Sequence, residues 1–292
     1  MTISPEKQAK VSRILNFSCV DGPGNRLVIF LQGCNFNCLN CHNPHTINHC
    51  NHCGDCVEPC PSEALSFNDK GKVIWDKSAC TNCDKCIEVC RYNSSPKISL
   101  YTVSEMVDVI KRNSMFISGI TVSGGEATLQ LPFIIQLFES IKSDQSLKHL
   151  TCFIDSNGDL SSTVWERVNH VLDGVMVDLK SWQKETHQWL VGKGNHRVIE
   201  SVKSLAKLGK LYELRLLHIP GKSDLDTEVA SIIALVQSLP KEVLIRLNAF
   251  QHHGVVGEAL DWNKCSEKEI NRFHALLAKD VEQKIQLPGI YT

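Results

Sequence analysis

The chain has 292 residues, is 42% hydrophobic and carries a formal net charge of -1. It is long enough for one large domain with a module and apolar enough for a real core, while its balanced charge excludes any general electrostatic pull on nucleic acid or anionic lipid. The first eighteen residues lack the apolar run of a signal peptide, and no later stretch approaches the roughly 20 apolar residues of a membrane span, so a soluble, cytoplasmic protein with no membrane or nucleic-acid partner is expected.

In chain order, "RLVIFLQG" (26–33) reads as a strand, and three cysteines at 34, 38 and 41 follow it directly. From about 48 to 96 long apolar runs give way to turn residues, and eleven of the fourteen cysteines fall between 34 and 90. A helix is then predicted over "TVSEMVDVIKRN", begun by a capping box of Thr102 and Glu105, followed by a strand in "GITVSGGE" (119–126). Further strands are read at 149–158, 174–180, 211–221 and 242–250, with helical periodicity in "LPFIIQLFESIK", "HRVIESVKSLAKLG", "LDTEVASIIALVQSL" and "SEKEINRFHALLAK". Six strands alternating with helices predict an α/β fold with a parallel sheet, whose chemistry collects at the carboxyl ends of its strands. Cys34, Glu126, Asp155, Asp178 with Lys180, Arg215 and the 251–253 cluster all fall at or beside such an end, which points to one shared pocket.

In a reducing cytoplasm, cysteines in this number are expected to be metal ligands, so their spacing carries the information. "CNHCGDCVEPCP" (50–61) has the spacing C-x2-C-x2-C-x3-C-P, and "CTNCDKCIEVC" (80–90) repeats it with Arg91 in place of the final proline. This is the bacterial ferredoxin run, in which three cysteines of one run and the fourth of the other hold each cluster. One 4Fe-4S cluster is therefore assigned to Cys50, Cys53, Cys56 and Cys90, and another to Cys80, Cys83, Cys86 and Cys60. Zinc usually takes two C-x2-C pairs split by a longer loop and fits this pattern poorly. Cys34, Cys38 and Cys41 differ, because no fourth cysteine follows at ligand spacing. A cluster held by three thiolates leaves one iron free, and the amino and carboxylate groups of S-adenosylmethionine can chelate it beside a sulfonium that accepts an electron.

The C-x3-C-x2-C triad resembles the signature of the radical S-adenosylmethionine enzymes. "DGPGNRLVIFLQGCNFNCLNCHNP" is similar, more narrowly, to the N-terminal signature of glycyl radical enzyme activating enzymes, and the ferredoxin insert to their subgroup with two auxiliary clusters; the surroundings of "IRLNAF" resemble its YjjW-type branch. The resemblance implies a partial (β/α)6 TIM-like barrel, begun by residues 1–47, interrupted by a ferredoxin-like module at 48–96 and completed by 97–292. It implies three 4Fe-4S clusters and S-adenosylmethionine, with Cys34, Cys38 and Cys41 as the catalytic cluster's ligands. Gly124, Gly125 and Glu126 correspond to an element that holds the methionine amino group; Asp178 and Lys180 correspond to a pair on the ribose and methionine carboxylate. Arg215, among apolar neighbours on a strand, itself needs an anion, either that carboxylate or a carboxylate of the barrel. Some relatives bind a monovalent cation through the equivalents of Asp155, Ser156, Met176 and Asp178. In "AFQHHG" a gap-free reading puts Gln251 at the family's cofactor-contacting histidine and a one-residue shift puts His252 there, which is the residue carried over; His42 is carried over as a positioning residue, and Asn40 stands where the family commonly has an aromatic residue, so backbone contacts rather than stacking are expected there.

The expected activity is reductive cleavage of S-adenosylmethionine to a 5'-deoxyadenosyl radical that takes a hydrogen atom from a glycine of a partner glycyl radical enzyme, with a low-potential donor such as flavodoxin or ferredoxin. Oxygen-sensitive clusters suit anaerobic metabolism. Two rival readings account for less of the sequence. A radical enzyme acting on a small molecule or peptide more often carries its auxiliary clusters after the barrel. A non-catalytic electron carrier leaves Glu126, Asp178, Lys180 and the three-cysteine site unexplained.

Overall fold

The computed structural model describes residues 5–289. It begins with β1 (Gln8–Ser18), antiparallel to β2 (Arg26–Leu31). The cysteine-rich stretch contains β3 (Leu65–Phe67) and β4 (Val73–Trp75), which form a separate two-stranded sheet, and the short helix α1 (Lys85–Glu88). The chain returns through β5 (Ser99–Thr102), antiparallel to β1. The helix α2 (Val103–Asn113) starts where its capping box predicts: Glu105 N donates to Thr102 Oγ1 at 3.2 Å and Thr102 N to the Glu105 carboxylate at 2.8 Å. β6 (Gly119–Gly124), α3 (Leu131–Ser143), β7 (Thr151–Ser156), α4 (Ser162–Val168), β8 (Gly174–Leu179), α5 (Lys184–Val191), α6 (His196–Lys207), β9 (Leu211–His218), α7 (Val229–Gln237), β10 (Leu244–Ala249), α8 (Glu267–Leu277) and β11 (Ile285–Gln286) complete it.

Nine strands form one sheet in the order β11-β10-β9-β8-β7-β6-β2-β1-β5. From β2 to β10 the six strands run parallel, and they are the six read from the sequence. Helices cover this sheet, so its strands are buried almost throughout, as in the Gly119–Gly124 and Gly174–Leu179 runs. One continuous core joins the inner strands to Phe133, Phe138 and Trp165 of the helices. The flanking strands β1, β5 and β11 were not anticipated. β1 is covered on one side only and shows interrupted burial, and β11 has just two residues, so neither presents the uniform apolar run that marks a buried parallel strand.

Arg26 closes the amino-terminal end of the sheet. Fully buried, it donates to Thr121 Oγ1 at 3.1 Å and to the Ile120 and Thr151 carbonyls, with its guanidinium 4.6 Å from the Phe153 ring centre. Burial pulls its pKa down to about 10, and carbonyl dipoles take the place of a carboxylate partner. Among the described residues no helix is long and apolar enough to cross a membrane.

Candidate active site

The cysteine triad lies on the loop after β2, and backbone bonds from two directions hold that loop. Asn37 N and Leu39 N donate to the Val191 and Leu190 carbonyls at the end of α5 at 3.0 and 2.9 Å, while Gly33 N and Cys34 N donate to Thr46 O and Ile47 O at 2.8 and 2.9 Å. Phe36 packs edge-on against His187, ring centres 5.7 Å apart. Burial pushes the Cys34 thiol up to about 11 and the Cys38 thiol up to about 12, and raises Cys41 as well. The free thiols are thus neutral until a metal replaces their protons.

A cavity of about 470 Å³ opens above these thiols at the carboxyl ends of the parallel strands. It joins Cys34, Cys38, Asn40, Cys41 and His42 to Gly124, Gly125, Asp155, Ser156, Asp178, Lys180 and Arg215. Phe30 on β2 and Ala249 on β10 both line it, so the first and sixth parallel strands curve around one chamber. Lys180 Nζ lies 3.0 Å from Asp178 Oδ2. Burial works against the Lys180 charge, but the charge and hydrogen bond of Asp178 outweigh it and raise the pKa; burial likewise opposes Asp178, which Lys180 and Arg215 hold below the usual carboxylate range. The two remain a charged pair.

Two of the expected cofactor contacts lie off the chamber wall. Glu126 is only 1% exposed and turned inward. Its Oε1 accepts from Thr128 N at 2.9 Å, Thr128 Oγ1 at 2.6 Å and Ser156 Oγ at 2.9 Å, and its Oε2 from Asn157 N at 2.7 Å. Burial drives this carboxyl upward and the four donors oppose it. Glu126 therefore ties the end of β6 to that of β7 rather than facing an ammonium group. His252 is also diverted: its Nε2 lies 2.7 Å from Trp262 O, and Gln251 Nε2 donates to Cys265 O at 3.0 Å, so Asn248 and Ala249 line the chamber from this strand instead.

Arg215 lines the chamber and takes barrel carboxylates as its anions. Arg215 Nη1 donates to Asp155 Oδ1 at 2.9 Å, Nε to Glu213 Oε1 at 2.5 Å and Nη2 to Met176 Sδ at 3.1 Å. Arg246 completes the charge balance on the buried Glu213, with two contacts at 2.9 Å. An arginine at this depth needs anions, and the barrel supplies them. The side chains of the residues expected to hold a monovalent cation are engaged here by Arg215, Lys180 and, through the Ser156 hydroxyl, Glu126.

Gly124 and Gly125 serve backbone contact more than ligand approach. A Cβ at Gly125 would meet Gly33 O at 2.2 Å and one at Gly124 would meet Leu31 N at 2.2 Å, so the two glycines let the end of β6 lie flat against the chain entering the triad loop.

Asp21, Asn157, Leu217 and Pro288 also line the chamber but were not singled out beforehand. Asn157 lay within "DSNG", and its Nδ2 reaches Cys34 Sγ at 3.9 Å and Asn35 Oδ1 at 2.8 Å. Phe36 N also donates to Cys34 Sγ, at 3.4 Å. Donors to a cluster sulfur raise its reduction potential, so both are placed to tune an iron–sulfur group.

Three thiols on one cavity wall, with no fourth cysteine beside them among the described residues, fit a cluster with one open iron. The buried Asn40 Oδ1, which finds no partner among the described residues, fits a cofactor that brings a donor. Elsewhere, Cys50, Cys53, Cys56 and Cys90 surround one small cavity in the cysteine-rich stretch. Among the described residues no three His, Cys, Asp or Glu side chains gather as a site for a single metal ion. The fit to clusters therefore rests on the chemistry of the donor sets.

A family model described as Radical SAM superfamily matches residues 28–231. The chain belongs to this superfamily. It is 30% identical over 275 residues to a 4-hydroxyphenylacetate decarboxylase activating enzyme of Clostridioides difficile, covering 87% of this chain and 84% of that one. It is 28% identical over 267 residues to an isethionate sulfite-lyase activating enzyme of Desulfovibrio desulfuricans, covering 82% of each. The structure of QueE from Escherichia coli superposes with a TM-score of 0.51 over 96% of this chain at 12% identity, which speaks for the fold alone. Within the superfamily the chain is one of the glycyl radical enzyme activating enzymes, and the family implies a 4Fe-4S cluster and S-adenosylmethionine.

The radical SAM loop leans on a buried histidine, with a consequence for stability. His187 Nδ1 donates to Lys193 O at 2.6 Å while its Nε2 is buried without a partner, so protonation would bury an unmatched N–H and burial lowers its pKa. Below the free imidazole value of about 6.5 the unfolded chain takes up a proton that the folded chain refuses, so stability falls with pH there. The thermal midpoint is expected to drop between pH 7.5 and 5.5, and His187→Gln, which keeps a donor toward Lys193, should flatten that slope. An unchanged slope in the variant would assign the acid sensitivity to other groups.

Proposed function

We propose that the chamber above the triad holds S-adenosylmethionine, with its methionine end toward Cys34, Cys38 and Cys41, and admits the glycine loop of a partner glycyl radical enzyme at the open ends of the strands. When bound, the cluster and cofactor supply one electron and a reductive cleavage to methionine and a 5'-deoxyadenosyl radical, which takes a hydrogen atom from the glycine Cα. The observation that carries this reading is the convergence of three thiols, the Asp178–Lys180 pair and the orphaned Asn40 Oδ1 on one cavity.

Asp178 and Lys180 present opposite charges, suited to the ribose hydroxyls and the methionine carboxylate respectively. Asn40 Oδ1 accepts from the adenosyl portion. Glu126 acts indirectly, by fixing Ser156 and Asn157 on the wall. The walls exclude water from a radical that would otherwise attack whatever it met, and the partner's loop closes the remaining opening. The decisive experiment mixes the reconstituted protein anaerobically with candidate glycyl radical enzymes, reductant and S-adenosylmethionine. A glycyl doublet in the electron paramagnetic resonance spectrum is expected, and its absence across all candidates would remove the main support.

The cysteine-rich stretch at 48–96 is read as a module with two further 4Fe-4S clusters that relay electrons from a low-potential protein donor such as flavodoxin or ferredoxin. Replacing Cys53 and Cys83 by alanine should make donor-driven activation collapse while dithionite still reaches the triad. If the module serves docking instead, both reductants fail on the partner protein yet uncoupled cofactor cleavage continues. Wild-type rates with both reductants, after both clusters are verifiably lost, would exclude either role.

A further inference from the structure

The two ferredoxin-like runs do not connect equally to the triad. Cys34 N donates to Ile47 O at 2.9 Å, and Ile47 is followed within three residues by Cys50. Gln32 Nε2, just ahead of the triad, donates to Asn48 O at 2.6 Å. Asn48 in turn holds the end of the second run: its Nδ2 donates to Tyr92 O at 2.9 Å and its N to Asn93 O at 3.1 Å, two and three residues past Cys90. Cys50 and Cys90 thus both lead to the triad through a few covalent and hydrogen bonds, and they line the same cavity with Cys53 and Cys56.

The path from Cys60, Cys80, Cys83 and Cys86 is longer: Cys86 leads through Ile87 O, which accepts from Cys90 N at 3.2 Å, and so joins the route by way of the other set. A second link from this run to the barrel side is the Lys97–Asp84 ion pair, which ends on a side-chain carboxylate rather than on backbone running to Cys34. They do meet the other set, since Cys56 and Cys86 pack together with Leu65 and Val73 in the small core of this stretch. Away from Asn48 the triad loop and the cysteine-rich stretch are separated by an open groove of about 630 Å³, lined by Cys34, Phe36, His49, Asn51, Tyr92 and Lys193. Electron tunnelling weakens faster across an open gap than along bonds, so the 47–50 segment with Asn48 is the favoured bridge.

We infer that the set Cys50, Cys53, Cys56 and Cys90 is proximal to the triad, that the set Cys60, Cys80, Cys83 and Cys86 is the distal entry point, and that Asn48 couples the proximal set to Cys34. The inference rests on the reading of three iron–sulfur sites and adds their order. Each passage moves one electron and no atom. A flavin hydroquinone donor is oxidised to its semiquinone, each iron–sulfur site is reduced by one and reoxidised in turn, and no bond forms or breaks.

The test uses the full, cluster-loaded chain without partner enzyme. Reduced flavodoxin is mixed in and samples are freeze-quenched for electron paramagnetic resonance, the triad site being recognised as the signal that S-adenosylmethionine perturbs. In Cys53→Ala the donor should still reduce the distal site while triad reduction slows roughly tenfold or more; in Cys83→Ala reduction of both remaining sites should slow to that extent. Asn48→Ala keeps every cysteine and should retain full iron, yet slow triad reduction severalfold, which separates coupling from misfolding. Wild-type triad rates in Cys53→Ala or Asn48→Ala, or unchanged reduction of both remaining sites in Cys83→Ala, would overturn the order. Wild-type protein with about four iron atoms in place of about twelve would instead overturn the three-site reading beneath it.

Discussion

Replacing Cys34, Cys38 and Cys41 together by alanine is expected to abolish S-adenosylmethionine cleavage and every activation that follows from it. The wild-type protein should bind about twelve iron atoms, four at each of three sites, and the triple variant about eight. The loss should be local. The loop around the thiols is held mainly by backbone bonds to Leu190, Val191, Thr46 and Ile47, none of which needs a sulfur, so the variant should fold. Iron analysis and Mössbauer spectroscopy on anaerobically reconstituted protein check the count. Retention of all iron in the triple variant, or stoichiometric zinc in the wild type, would defeat the assignment of the triad.

Lys180→Ala and Glu126→Ala should both weaken S-adenosylmethionine binding, by different routes that calorimetry and thermal melts can separate. Lys180 lies in the chamber wall and offers a charge-assisted contact worth roughly 1.5 to 3 kcal/mol, so its loss should lower affinity about ten- to hundredfold with a modest effect on melting. Glu126 is buried beneath the wall and accepts from two backbone N–H groups and two hydroxyls. Its removal orphans those donors at roughly 1 to 3 kcal/mol each, less whatever water recovers, and should lower the melting temperature by on the order of 5 to 10 °C. Cofactor affinity should then fall because Ser156 and Asn157 lose their anchor. A Glu126→Ala variant with unchanged melting and selectively weakened binding would return that carboxylate to direct contact with the cofactor.

The difference between these two residues marks how far local sequence reaches. The triad, the two ferredoxin-like runs and the six parallel strands were legible because each depends on spacing along the chain. Ligands on one loop sit a few residues apart, and a strand buried on both faces reads as an apolar run. Asp178 and Lys180, two residues apart at the end of β8, both line the chamber. Spacing could not say where Glu126 points. That direction is set by Ser156 and Asn157, thirty and thirty-one residues away, whose donors meet the carboxylate only once β6 and β7 are paired. His252 turns to a carbonyl ten residues on, and Arg215 to Asp155 sixty residues back, because a buried donor takes the acceptor that the assembled barrel brings nearest. Asp21 enters the chamber from a loop ahead of the first parallel strand and left no periodic signal at all. Spacing along the chain thus determined which groups are available for the chemistry, whereas the pairing of distant strands decided which of them face the chamber, because hydrogen-bond and ion-pair partners are chosen in three dimensions after the sheet has closed.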